Sequence, residues 1–185
     1  FGGEDVVFLG RMAPDKGIDV AIRVARAAGL RLLIAARMRG PAERAYFDST
    51  VRPELGEDVV YVGEADFDRK VALLSRARAL LNPIRWPEPF GLVMAESLAC
   101  GTPVVGCPEG AAPEIVDDGV TGFLTRSEPD LVTALTHAGD LDRRACRRAV
   151  LARFTAERMA RDHVELYRAV IAGRPGRPER KLASV

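Results

Sequence analysis

Two acidic side chains, Glu88 and Glu96, stand eight residues apart in Trp86-Pro-Glu-Pro-Phe-Gly-Leu-Val-Met-Ala-Glu96, in contrasting backbone settings. Glu88 lies between Pro87 and Pro89, which bias it to extended backbone and keep it out of the helix that follows. Glu96 is the one acid in the apolar run from Phe90 to Ala99, a pattern that predicts a helix buried on most sides. A carboxylate there needs donors. The vicinal hydroxyls of a ligand could satisfy both of its oxygens, and an ion pair with an arginine elsewhere in the fold would serve equally well.

A second cluster, Gly10-Arg11-Met-Ala-Pro-Asp-Lys16-Gly17, places two cations between an apolar run and a helical pattern. Such a loop suits a phosphate: a helix N-terminus attracts an anion, an arginine binds it bidentately, and a lysine adds a mobile charge. The spacing is neither a P-loop nor the Gly-x-Gly-x-x-Gly dinucleotide fingerprint. Lysine is scarce, with Lys16, Lys70 and Lys181 the only ones, so a lysine in this loop is informative. For this loop in isolation, two solvated cations are the simpler account.

The elements that must position these residues alternate. Short apolar runs at Asp5–Leu9, Arg31–Ala36, Val59–Val62, Ala79–Asn82, Val104–Val105 and Gly122–Leu124 predict buried parallel strands. Helical spacing falls at 18–28, about 42–51, about 68–75, the stretch after Phe90, a turn at Pro113–Val116, and about 128–138, 140–152 and 155–171. Alternation with short loops implies a doubly wound, Rossmann-like α/β domain, whose ligands bind beyond the carboxyl ends of the strands. The loops that carry Arg11, Lys16, Arg37, Glu64, Glu88 and Gly110 all follow strands and converge on that edge.

With 185 residues, 48% hydrophobic, the chain is expected to form one globular unit over residues 1–172, followed by a disordered tail at 173–185 rich in Pro, Gly and Arg. A net charge of +1 gives no reason to invoke nucleic acid, and the arginines from Arg143 to Arg161 read as a solvated helix face. Cys100, Cys107 and Cys146 lack metal or redox spacing and fit reduced, mostly buried thiols of a cytoplasmic protein. No run is long enough to span a bilayer and no targeting signal is evident. The start at Phe1-Gly2-Gly3-Glu4, without an initiator methionine, suggests a piece of something longer.

Taken together, Gly-Arg-x-x-x-x-Lys-Gly after the first strand and Glu-x7-Glu after the fourth resemble the retaining glycosyltransferases of family four. The likeness extends through Ala99-Cys-Gly-Thr-Pro-Val-Val105 and Pro113-Glu-Ile-Val-Asp-Asp-Gly-Val-Thr-Gly-Phe-Leu124. It implies the C-terminal, donor-binding half of a GT-B enzyme of carbohydrate biosynthesis. Arg11 and Lys16, beside Gly10, would hold the diphosphate of a UDP-, GDP-, ADP- or TDP-sugar, and Glu96 would accept from the ribose hydroxyls. Glu88 would contact the transferred sugar. The backbone around Pro89, Phe90, Gly91 and Leu92 would approach the sugar and distal phosphate, and the Arg37 and Gly63-Glu64 neighbourhoods would contact the base. Transfer would proceed with retention and without cofactor or metal, catalysed by Glu88, Arg11 and Lys16. The acceptor site would lie in an N-terminal domain of the same enzyme, approached by the helix at 155–171, and the full enzyme could associate peripherally with membranes. Alternatives are a binding module inactive by itself and a GT-B nucleotide-sugar epimerase. Two departures stand out: Ala35-Ala36-Arg37 replaces a common Gly-x-Gly turn, leaving the base open, and Gly110-Ala111 replaces a Gly-Gly pair. Trp86 is expected only to pack.

Overall fold

The computed structural model describes residues 2–173. Among them, β1 (Val6–Arg11), β2 (Leu32–Arg37), β3 (Val59–Gly63), β4 (Ala79–Asn82), β5 (Val104–Gly106) and β6 (Gly122–Leu124) form one sheet. Its order is β3-β2-β1-β4-β5-β6 and every pairing is parallel. The helices are α1 (Ile18–Ala27), α2 (Pro41–Tyr46), α3 (Phe67–Arg76), α4 (Leu92–Ala99), α5 (Ala112–Ile115), α6 (Glu128–His137), α7 (Arg143–Arg153) and α8 (Ala156–Ile171). This is the expected doubly wound class. The tail expected beyond Ala172 lies, from residue 174 on, outside the described residues.

The period of two along the strands divides the core. Val6, Phe8, Ala79, Leu81 and Val105 join the cluster with the buried faces of α1 and α6, and the alternate residues Val7, Leu80 and Val104 are equally buried on the other side. Helices α3 and α4 cover that second side. The chain reverses its winding between β1 and β4, and at such a switch point the strand ends part to leave a crevice.

Two helix boundaries depart from the sequence pattern for local reasons. The helix expected at about 42–51 is α-wound only to Tyr46, and a wider turn over Phe47–Val51 then buries both Phe47 and Val51. The helix expected from about 140 starts at Arg143, because the Asp142 carboxylate accepts from the Arg144 amide at 2.8 Å and fixes the start there. A separate turn of 3₁₀ helix, Ala138–Asp140, precedes it.

The arginines expected as a solvated face are in part structural. Arg143 is half-buried and donates to the carbonyls of Ala77 (2.9 Å) and Ser75 (3.2 Å) and to the Thr102 hydroxyl, while Arg147 donates to the Ala99 carbonyl at 2.7 Å. These groups lie at the C-terminal ends of α3 and α4, where carbonyls lack intrahelical donors and the helix dipole favours a cation. Arg78 serves α6 likewise, through Leu135 and Thr136. Burial lowers the Arg143 pKa, an effect that the thiols of Cys146 and Cys100 oppose.

The chain divides into two compact units, Phe1–Val150 and Leu151–Val185. The sheet lies in the first. In the second, Thr155 caps α8 by accepting from the Arg158 amide at 3.2 Å, and Met159, Leu166, Tyr167 and Val170 recur at helical spacing, all exposed.

Candidate functional site

At the carboxyl ends of β1 to β4 lies a cleft of about 690 Å³. Its walls include all ten residues singled out from the sequence: Gly10, Arg11, Lys16, Glu64, Glu88, Pro89, Phe90, Gly91, Leu92 and Glu96. The fold brings them together because β1 and β4 are neighbours, so that the loops after both strands meet.

The loop after β1 is not free in solvent. Met12 is fully buried, and the Arg85 amide donates to the Asp15 carbonyl at 2.9 Å. Gly17 adopts φ 74°, and a Cβ there would come within 2.1 Å of the Pro83 carbonyl, so only glycine lets the two loops lie this close. The approach delivers the Lys16 ammonium to the Glu88 carboxylate in an ion pair. Lys16 also lies 5.0 Å from the centroid of the Trp86 ring. With side-chain exposures of 15% for Lys16 and 20% for Glu88, this pair is enclosed, and the solvated-cation account does not hold for Lys16. Arg11 is more open and pairs with Asp15 at 3.1 Å.

Glu88 is fixed from behind by the loop after β5. The Ala111 amide donates to the Glu88 carbonyl at 3.0 Å, and Gly110, at φ 58°, packs so closely that a Cβ would fall 2.2 Å from that same oxygen. Trp86 does pack, as expected, but its ring also forms cleft wall, and its Nε1 is buried without a partner among the described residues.

The helix carrying Glu96 is buried or half-buried along its length except at its first residue: Met94, Ala95, Ser97 and Leu98 face the core, whereas Leu92 stands 68% exposed and Phe90, just before the helix, 40%. This leaves the first turn of α4 open to the cleft, at the end of the helix where amides lack intrahelical partners, although the Met94 amide already donates to the Gly91 carbonyl at 3.0 Å. Glu96 does have an internal partner, a lysine rather than an arginine: Lys70 on α3. Leu74, one helical turn beyond Lys70 on the same face, is buried and thereby helps to turn that face of α3 inward, with Lys70 reaching α4.

Arg37 and Glu64 line the far end of the cleft, and Glu64 pairs with Arg39 at 2.9 Å. Lys70 and Asn82 line the cleft as well, although sequence reasoning did not pick them. For Lys70 the scarcity of lysine was the available signal. Asn82 ends a fully apolar strand and is 6% exposed, and a polar residue at that register was the sign to follow. Among the described residues, no group of three or more His, Cys, Asp or Glu side chains could hold a metal ion, and no described helix is long and apolar enough to cross a membrane.

Residues 3–140 match the family described as "Glycosyl transferases group 1". A D-inositol 3-phosphate glycosyltransferase of Mycolicibacterium smegmatis is 37% identical over 159 residues, which cover 84% of this chain and 36% of that protein. The crystal structure of AviGT4, a glycosyltransferase involved in avilamycin A biosynthesis, matches with a TM-score of 0.75 at 32% identity, over 93% of this chain and 52% of its own. Sucrose-phosphate synthase from Thermosynechococcus elongatus gives a TM-score of 0.80 at 28% identity, over 92% of this chain and 46% of its own. The chain thus spans about half, or less, of the length of these relatives, and its sheet corresponds to one half of the two-domain GT-B architecture. Matched over well more than half of its residues, the chain belongs to the group 1 glycosyl transferases.

Proposed function

We propose that this chain binds a nucleotide-diphosphate sugar and contributes it to metal-independent, retaining transfer onto an acceptor hydroxyl. The observation that carries the proposal is the convergence of Arg11, Lys16, Glu88, Glu96 and the open first turn of α4 on one cleft at the switch point of the sheet. Arg11, Lys16 and the α4 amides supply positive potential for a diphosphate, and they stabilise the charge that develops on it as the glycosyl bond breaks. In the unliganded chain Lys16 is held by Glu88; a bound diphosphate offers that ammonium a second anion. Glu88 then faces the sugar, and Glu96, deeper along α4, faces the ribose.

The acceptor is bound by a second, N-terminal domain of the same enzyme, and the exposed apolar face of α8 supports this, since Met159, Leu166, Tyr167 and Val170 form a stripe suited to docking against protein. By itself the chain binds donor weakly and turns nothing over. Titration calorimetry with UDP, GDP, ADP and TDP tests the reading. One of the four is expected to bind, with affinity falling at least tenfold in Arg11→Ala and in Glu96→Ala. Absence of binding by all four, or unchanged affinity in both variants, overturns it.

A further inference from the structure

Glu96 does not face the cleft alone. Its Oε1 accepts from the Lys70 ammonium, and both side chains form cleft wall beside Glu64 and Ala65. The pair stays within reach of a ligand, with side-chain exposures of 23% for Lys70 and 37% for Glu96. Among the described residues, Glu96 Oε2 takes no hydrogen bond, and the Lys70 ammonium, a three-donor group, makes one. One acceptor and two donors are therefore left side by side.

We propose that Lys70 and Glu96 act together as a reader of the ribose cis-diol, so that the cleft selects ribonucleotides over 2′-deoxyribonucleotides. The inference rests on the nucleotide-sugar reading above and adds to it a specificity-determining residue, Lys70. A carboxylate by itself offers only acceptors, whereas a cis-diol carries two O–H donors on two oxygens that also accept. An ammonium and a carboxylate held in contact present a donor and an acceptor at the spacing of two vicinal oxygens, so one hydroxyl donates to Glu96 while the other accepts from Lys70. Loss of the 2′-hydroxyl leaves part of this pair without its ligand partner, and sites built to hydrogen-bond a hydroxyl discriminate strongly against analogues that lack it. Donors built on ribonucleosides, UDP-, GDP- or ADP-sugars, are favoured over thymidine diphosphate sugars.

The test measures affinities for UDP, GDP and ADP and for the 2′-deoxy form of each. Wild type is expected to prefer the ribo form of its nucleotide at least tenfold. In Lys70→Met that ratio falls to about threefold or less, because binding of the ribo form weakens while binding of the deoxy form is little changed; Lys70→Arg, which keeps a donor, recovers part of the ratio. A cation acting only through its charge would weaken both forms equally and leave the ratio intact, and that result overturns the proposal, as does a wild type that does not discriminate. Binding of TDP alone likewise overturns it, whereas absence of binding by UDP, GDP, ADP and TDP alike overturns instead the nucleotide-sugar reading beneath it. A thermal melt confirms that both variants are folded.

Discussion

The cleft and the helix ends at the amino edge of the sheet use cations in opposite ways, although ion pairs occur at the amino edge as well, Arg31 with Asp5 and Arg78 with Glu4. At the carboxyl edge Arg11, Lys16 and Lys70 each pair with a carboxylate, Asp15, Glu88 and Glu96, and all three cations line a cleft. At the amino edge Arg78, Arg143 and Arg147 donate to backbone carbonyls at the ends of α6, α3 and α4. A side-chain pair can exchange partners with an incoming anion or hydroxyl, whereas a carbonyl at a helix end, short of intrahelical donors, is held by a fixed one. The same charge is therefore exchangeable in the cleft and structural at the helix ends, and a count of basic residues cannot separate the two.

The sharpest break between the two regions is expected from Arg143→Met. It takes the arginine donor from the Ala77 carbonyl and one of two donors from the Ser75 carbonyl, which keeps the Gly2 amide at 3.3 Å, and should lower stability by roughly 2–3 kcal/mol in chemical denaturation, with nucleotide affinity retained under native conditions. Next in size, Lys16→Met should weaken nucleoside diphosphate binding about tenfold, a loss of roughly 1.4 kcal/mol by calorimetry, and shift the melting temperature little. A large stability loss there with affinity unchanged would erase the distinction between the two regions. Arg147→Ala removes one exposed bond to a carbonyl and should cost about 0.5–1 kcal/mol, again without effect on binding. Smallest at neutral pH is the contribution of Cys146, which packs at the amino edge with its thiol toward the Thr121 carbonyl.

Burial pushes the Cys146 thiol up from 9.0 to about 11, with Arg143 opposing. The folded state thus favours the protonated thiol. Stability from this source is complete below pH 9 and is lost as pH rises through about 11. Denaturation midpoints between those two values should fall less steeply in Cys146→Ala than in wild type; parallel curves would remove the thiol from the account.

Much of this was legible locally. The strands announced themselves as short apolar runs, and β4 and β6 fall where the pattern puts them, Ala79–Asn82 and Gly122–Leu124. Glu88 between prolines could not be helical, and α4 begins at Leu92, after it. At α4 the apolar pattern marked a helix that is buried or half-buried beyond its first residue, and it gave no sign that Phe90 and Leu92 stand exposed at the cleft mouth. The pattern misled for the C-terminal arginines, because whether an arginine is solvated depends on which carbonyls come near it.

Local patterning along the chain dictates the alternation of strands and helices, and with it which loops lie at the carboxyl edge, since period, glycine and proline act over a few residues. The partnerships were set by packing between distant elements. Lys16 and Glu88 are 72 residues apart, and Lys70 and Glu96 are 26 apart. They meet because β1 lies beside β4, because Gly17 lets one loop rest on the other, and because the burial of Leu74 helps to turn inward the face of α3 that carries Lys70. Contacts set by strand order and by the packing of distant elements leave no periodic mark on the chain, which is why ten residues of the cleft could be named from the sequence while their pairing, and the parts of Lys70 and Asn82, could not.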